Sequence, residues 1–189
     1  MANKDAAFGL KAIGKVGQNR DAQGLSEYSI AASATAIYQW DPVEMLATGT
    51  IGVAAAGDVL LGSLNGVFYT DASTSKPTWA NHLAASNTAT DIVGFVSDDP
   101  YERFEVQSNN TGASAQTDIG NVANIEYTAG SAPNYVSKVE LDDADLATTD
   151  GQLKVIGVSK DPDNNDLTSA NVNWVVTINE HFLKQTAGI

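Results

Sequence analysis

From Ala36 onward the apolar residues of this chain come in short runs, and no run keeps a helical period for long. Residues 36–40, 43–46, 59–61, 67–70, 92–96, 103–107, 124–127, 138–141, 153–158 and 174–178 are rich in β-branched and aromatic side chains, and several alternate polar with apolar. Half-buried strands read this way. The runs are separated by turn formers: Thr48-Gly49, Ala56-Gly57-Asp58, Leu64-Asn65-Gly66, Asp98-Asp99-Pro100, Thr149-Asp150-Gly151 and Asp161-Pro162-Asp163-Asn164-Asn165. Only residues 79–89 offer an Ala-rich helical window, and Ser86-Asn87-Thr88 interrupts it. Residues 142–146 have room for one helical turn. The pattern predicts an all-β fold, a compact sandwich or barrel of roughly ten short strands.

Charge divides the chain. Its 189 residues carry 23 acidic and 10 basic side chains, a net charge of −13. Up to Arg20, however, Lys4, Lys11, Lys15 and Arg20 face only Asp5, and all the excess acid lies beyond. Residues 1–20 are therefore expected to form an extended N-terminal arm, and residues 21–189 a single β-rich domain. The arm reads either as a frayed terminus or as a segment lying on a neighbouring subunit, steered by opposite charge. On the second reading Phe8, Leu10 and Ile13 anchor it, and Lys11, Lys15, Val16 and Arg20 complete the contact set.

The acidic balance argues against non-specific nucleic-acid binding, which needs cations on the phosphates. With no cysteine, disulfides, thiolate metal sites and thiol nucleophiles are excluded. The first twenty residues hold no apolar stretch that would serve as a signal-peptide core, and no run approaches the ~20 apolar residues of a membrane helix. A soluble protein made and kept in a cytoplasm-like compartment, or assembled there into something larger, is expected.

Catalytic fingerprints are missing: the chain contains no G-x-S-x-G, P-loop, H-E-x-x-H or G-x-G-x-x-G. Its two histidines, His82 and His181, read as surface or packing residues rather than bases. Asp161, Asp163, Asn165 and Asp166 place oxygen ligands at nearly alternate positions, as a hard-cation loop does, and are weak metal candidates. Asp166 stands where an EF-hand loop needs glycine, and Val172 where it needs glutamate, so a solvated turn is the simpler reading. No cofactor is implied. Trp40, Trp79 and Tyr69 could stack on sugar faces, whereas Trp174 reads as core.

The opening Met1-Ala2-Asn3-Lys4-Asp5-Ala6-Ala7-Phe8-Gly9-Leu10-Lys11 resembles the DAPFGFRPV-like start of a group of tailed-bacteriophage virion proteins, with Ala7 where the group often has proline. Ala34-Thr35-Ala36-Ile37-Tyr38, Asp41-Pro42-Val43 and Gly62-Ser63-Leu64-Asn65-Gly66-Val67-Phe68-Tyr69-Thr70-Asp71 follow in the same order. So do Asp98-Asp99-Pro100, Phe104-Glu105-Val106-Gln107 and Val175-Val176-Thr177-Ile178-Asn179-Glu180-His181. The resemblance implies a capsid decoration, or cement, protein: β-rich, homotrimeric, and seated outside the major capsid protein shell over three-fold and quasi-three-fold junctions. It would be made in the bacterial cytoplasm and end on the outer capsid surface. Two other readings stand beside it, a host-surface or glycan-binding virion module and a tail or connector subunit. An enzyme is the weakest reading.

Overall fold

The computed structural model describes residues 2–16, 24–109, 114–147 and 149–186. Among them thirteen strands form three antiparallel sheets, and the only helical pieces are three 3-10 turns. The fold is all-β and sandwich-like, without closure into a barrel. One sheet runs β1 (Lys11–Lys15), β8 (Glu102–Gln107), β13 (Asn173–Ile178), β12 (Leu153–Val158), β9 (Val122–Ala123). The second runs β2 (Ser26–Ser29), β7 (Val93–Ser97), β5 (Leu60–Thr70), β3 (Pro42–Met45), β4 (Ile51–Val53), and β6 (Pro77–Ala80) pairs with the far part of β5. A two-stranded hairpin joins β10 (Ile125–Glu126) to β11 (Glu140–Leu141).

Alternation decides which side chains meet. On the five-stranded sheet Phe104 pairs with Val176, which pairs with Val155, and Val106 pairs with Trp174. All are fully buried in one core with Leu10, Leu153 and Ile178. A second core gathers Ile37, Val43, Ile51, Leu61, Leu64, Val67, Leu83 and Val96. Strand β5 is the seam between them, because Leu60 enters the first core while Leu61 and Leu64 enter the second. Its first five residues are consequently buried, as expected of a strand covered on both faces.

Two sequence expectations differ from the structure in instructive ways. The runs at 59–61 and 67–70 form one eleven-residue strand, and Leu64-Asn65-Gly66 is a bulge within it rather than a turn. Glycine is needed there because a Cβ at Gly66 would lie 2.6 Å from the Trp79 ring, which crosses the strand at that point. The run at 36–40 makes only isolated bridges, from Ile37 to Leu83 and from Gln39 to Val136, and ends at Trp40 in the left-handed region, φ +67°. The Ala-rich window at 79–89 begins as strand and continues as loop. One helical turn does form, at Asp143–Asp145.

The N-terminal segment is the main correction. Residues 2–16 do not extend away from the body as an arm; they complete it. Leu10 is fully buried in the first core, its N–H donates to the Trp40 carbonyl at 2.9 Å, and its carbonyl accepts from Ser63 Oγ at 2.6 Å. Gln107, itself buried, clamps the preceding residues with both ends of its amide: Oε1 accepts from Ala6 N–H and Nε2 donates to the Lys4 carbonyl. Asn164 Nδ2 donates to the same carbonyl. Lys4 pairs with Asp163, and Lys15 with Asp99, so the basic segment meets its opposite charge on its own chain. Strand β1 then adds to the edge of the sheet, with a register shift between Ala12 and Gly14 that leaves Ile13 facing solvent. Residues 17–20, including Arg20, lie outside the described residues.

Replacing a buried Leu with Ala costs about 2–5 kcal/mol, whereas exposed positions change stability by about 0.5 kcal/mol or less. Urea unfolding of Leu10→Ala is therefore expected to show a loss within the first range, and Ile13→Ala almost none. Equal, small effects would mean that residues 2–10 are not part of the folded body.

Candidate interaction surface

The residues singled out by sequence separate into three environments. Leu10 is core. Phe8 lies edge-on to Trp40, 6.5 Å between ring centres, and the Lys11 ammonium sits 5.6 Å from the Trp40 ring centre. Ile13 and Val16 are exposed. Beside Phe8, Lys11 and Trp40 lies a cleft of about 390 Å³ whose other wall carries Asp161 and Asp163, so the segment and the acidic loop are neighbours.

That loop spends its carboxylates locally. Asp161 Oδ1 accepts from Asp163 N–H, Asp163 pairs with Lys4, and Asp166 accepts from Thr168 N–H, Thr168 Oγ1 and Ser169 Oγ. The Thr168 hydroxyl, helped by its N–H, holds the Asp166 carboxyl below its ordinary range. Asn165 is exposed beside them. Among the described residues no three His, Asp or Glu side chains are placed to hold a metal ion.

The outward face of the five-stranded sheet was not legible in the sequence. Register builds it: Lys154 is opposite Thr177, which is opposite Arg103, and in the next row Gly157, Val175, Glu105 and Lys11 follow one another across four strands. Ile13, Ile156 and Val175 supply apolar surface, with Ile13 44% and Ile156 38% exposed. Together with Arg103, Val158 and Lys160 they line a recess of about 410 Å³. Among the described residues none of Lys11, Arg103, Lys154 and Lys160 has a carboxylate ion-pair partner. The Arg103 Nε–H is buried and makes no hydrogen bond. Four of the chain's ten basic residues thus gather on one sheet face of a strongly acidic protein, none with an ion-pair carboxylate among the described residues and Lys11 set over the Trp40 ring.

A complementary feature sits at the β10–β11 hairpin. Glu126 and Glu140 are direct cross-strand partners, a like-charge arrangement that destabilises a sheet. Asn109 Nδ2 donates to Glu126, but neither glutamate has a basic partner among the described residues. Asp5 and Asp143 add further negative charge around Glu140. Burial, reinforced by Asp5, Glu126 and Asp143, pushes the Glu140 carboxyl up to about 7. Asp41, fully buried, is pushed up to about 6 by desolvation, although Ser137 and the Tyr38 N–H (2.7 Å) stabilise its charge.

Both histidines are engaged by packing contacts. His181 is fully buried, its Nδ1 accepts from Leu183 N–H, and burial pushes it down to about 4. His82 stacks on Tyr135, 3.9 Å between ring centres, with Tyr38 parallel to it at 6.3 Å. Elsewhere Trp79, 56% exposed, leans over Gly66 onto Phe95 at 5.0 Å, with Phe68 opposite it on β5. These rings form an aromatic shelf.

No family model, curated protein or solved structure matches the chain. No helix among the described residues is long and apolar enough to cross a membrane.

The pH dependence of stability follows from the raised carboxyls. Glu140 is easier to keep protonated in the fold than in the unfolded chain, so its contribution is fully present below its ordinary value of 4.5 and is lost as pH rises through about 7. Glu140→Gln should therefore raise Tm at pH 8 and leave it nearly unchanged at pH 4.5. Discounted for solvent at this partly exposed position, the gain is on the order of 1 kcal/mol, or about 2–4 °C. Thermal melts at the two pH values check this, and a uniform shift at both would contradict it.

Proposed function

We propose that this chain is a non-enzymatic virion structural protein of the capsid-decoration type. It binds the outer surface of the major capsid protein shell at three-fold and quasi-three-fold junctions, as a homotrimer, and stabilises the shell. The observation that carries this reading is the open sheet face, a surface fitted to hold a neighbouring subunit in a multi-copy assembly on the shell. Among the described residues one side of the five-stranded sheet is open, with apolar side chains at its centre and Arg103, Lys154 and Lys160 around it without carboxylate ion-pair partners. Contact, rather than catalysis, is what such a surface does. The ordered resemblance to tailed-phage virion proteins along the chain points the same way.

The physical work of such a protein is summed contact energy. Each copy needs only a standard-sized interface, because many copies act together and local opening of the shell must break several contacts at once. A cysteine-free β-sandwich made in the bacterial cytoplasm and then exposed on the particle exterior needs no redox chemistry to stay folded. Binding is expected when the purified chain is mixed with expanded tailed-phage shells stripped of decoration. Co-sedimentation should saturate at a fixed copy number per three-fold junction and raise the temperature at which shells open. Absence of saturable binding would refute the proposal.

The aromatic shelf favours a second reading, a glycan-binding virion module, since an exposed indole beside two further rings suits the apolar face of a sugar. On a glycan array this reading expects specific binding that Trp79→Ala abolishes, and a flat array removes it.

A further inference from the structure

We propose that the open face of the five-stranded sheet is the docking surface for a second copy of this chain, which presents its acidic β10–β11 hairpin to it. The inference rests on the reading of the chain as a homo-oligomeric virion subunit and assigns the contact that builds the oligomer.

Charge complementarity carries the choice of occupant. Lys11, Arg103, Lys154 and Lys160 have no carboxylate partner within the chain, and Glu126 and Glu140 have no basic one, among the described residues. Both halves are costly in an isolated copy. Two glutamates opposite one another on a hairpin repel, and an arginine with a buried, unbonded Nε–H has lost water without replacing it. Each half supplies what the other lacks. Local violations of this kind are expected where a sequence is selected for a contact rather than for the stability of one copy.

Shape agrees with charge. The hairpin strands are two residues long, and the recess of about 410 Å³ between Ile13, Ile156 and Val175 takes a few side chains, not a broad surface. Nucleic acid is a poorer occupant. The apolar side chains at the centre of the face have no use on a phosphate backbone, and a net charge of −13 repels one. Because face and hairpin are different parts of one chain, the contact is head-to-tail, and copies related by a rotation that closes form a ring.

The test is the mass of the full chain in solution, measured by light scattering at low and high salt. The wild type is expected to assemble, with a dissociation constant that rises about tenfold or more as salt screens the contact. Two double variants, R103E/K154E and E126K/E140K, should each be monomeric while keeping the wild-type circular dichroism. Combining all four substitutions in one chain should restore assembly. Where a reversal prevents folding, an oxidative cross-link decides instead: the chain has no cysteine, so Lys154→Cys with Glu126→Cys should give intermolecular disulfides between copies and no others.

A wild type that stays monomeric overturns the proposal, as does failure of the folded quadruple variant to reassemble, absence of the cross-link, or binding of nucleic acid in place of self-association. Shell occupancy of the same variants is read separately. A monomeric chain that still saturates shells would remove the self-contact and leave the decoration role. An assembled chain that ignores shells would do the reverse.

Discussion

Strand β5 is the constraint on which the remainder of this fold depends. A strand buried on both sides must place every side chain correctly, because a slip of one residue would put Gly62 and Asn65 where Leu61 and Leu64 fill the second core. Close backbone packing enforces the register: a Cβ at Gly62 would stand 2.2 Å from the Ser97 carbonyl oxygen of the neighbouring strand. The same stretch fixes the N-terminal segment, since buried Ser63 holds the Leu10 carbonyl and Leu64 accepts from Trp40 N–H. Trp40 pays for its position with a left-handed backbone that a bulky residue seldom adopts. In return its carbonyl receives Leu10, and its ring packs against Phe8 and Lys11.

Electrostatics is organised around what is neutralised within the chain and what is not. The basic N-terminal segment spends Lys4 and Lys15 on Asp163 and Asp99 of its own body. The acidic loop at 161–166 spends its carboxylates on backbone and hydroxyl donors. Among the described residues Lys11, Arg103, Lys154 and Lys160 lie on one sheet face without an ion-pair carboxylate, and Glu126 opposes Glu140 on the hairpin. That uneven distribution, more than the total, gives the molecule surfaces with something to offer a partner.

Most of the β-architecture was legible in the sequence because alternation and turn formers are local signals. Residues 103–107, 153–158 and 174–178 appear in the structure as strands within one residue of their expected ends, and Trp174 is core. What sequence missed was long-range. Strands β1, β2, β4 and β6 are short or polar, and neighbouring strands rather than their own composition make them extended. The bulge at Leu64-Asn65-Gly66 read as a turn because nothing local announces that Trp79 crosses there. The N-terminal segment read as an arm because Gln107 and Asn164, which hold it, lie more than a hundred residues away. The basic sheet face was invisible for the same reason: Lys11, Arg103, Lys154 and Lys160 are scattered in sequence and meet only through register.

The bulge in β1 has a consequence for how crowded copies can approach one another. A flat edge strand would offer its free backbone groups to any other edge, and copies at high local concentration would be at risk of growing into a ribbon. The offset between Ala12 and Gly14, flanked by Lys11 and Lys15, spoils that template. At this edge strand-to-strand growth is disfavoured, while the adjoining sheet face stays open to contact.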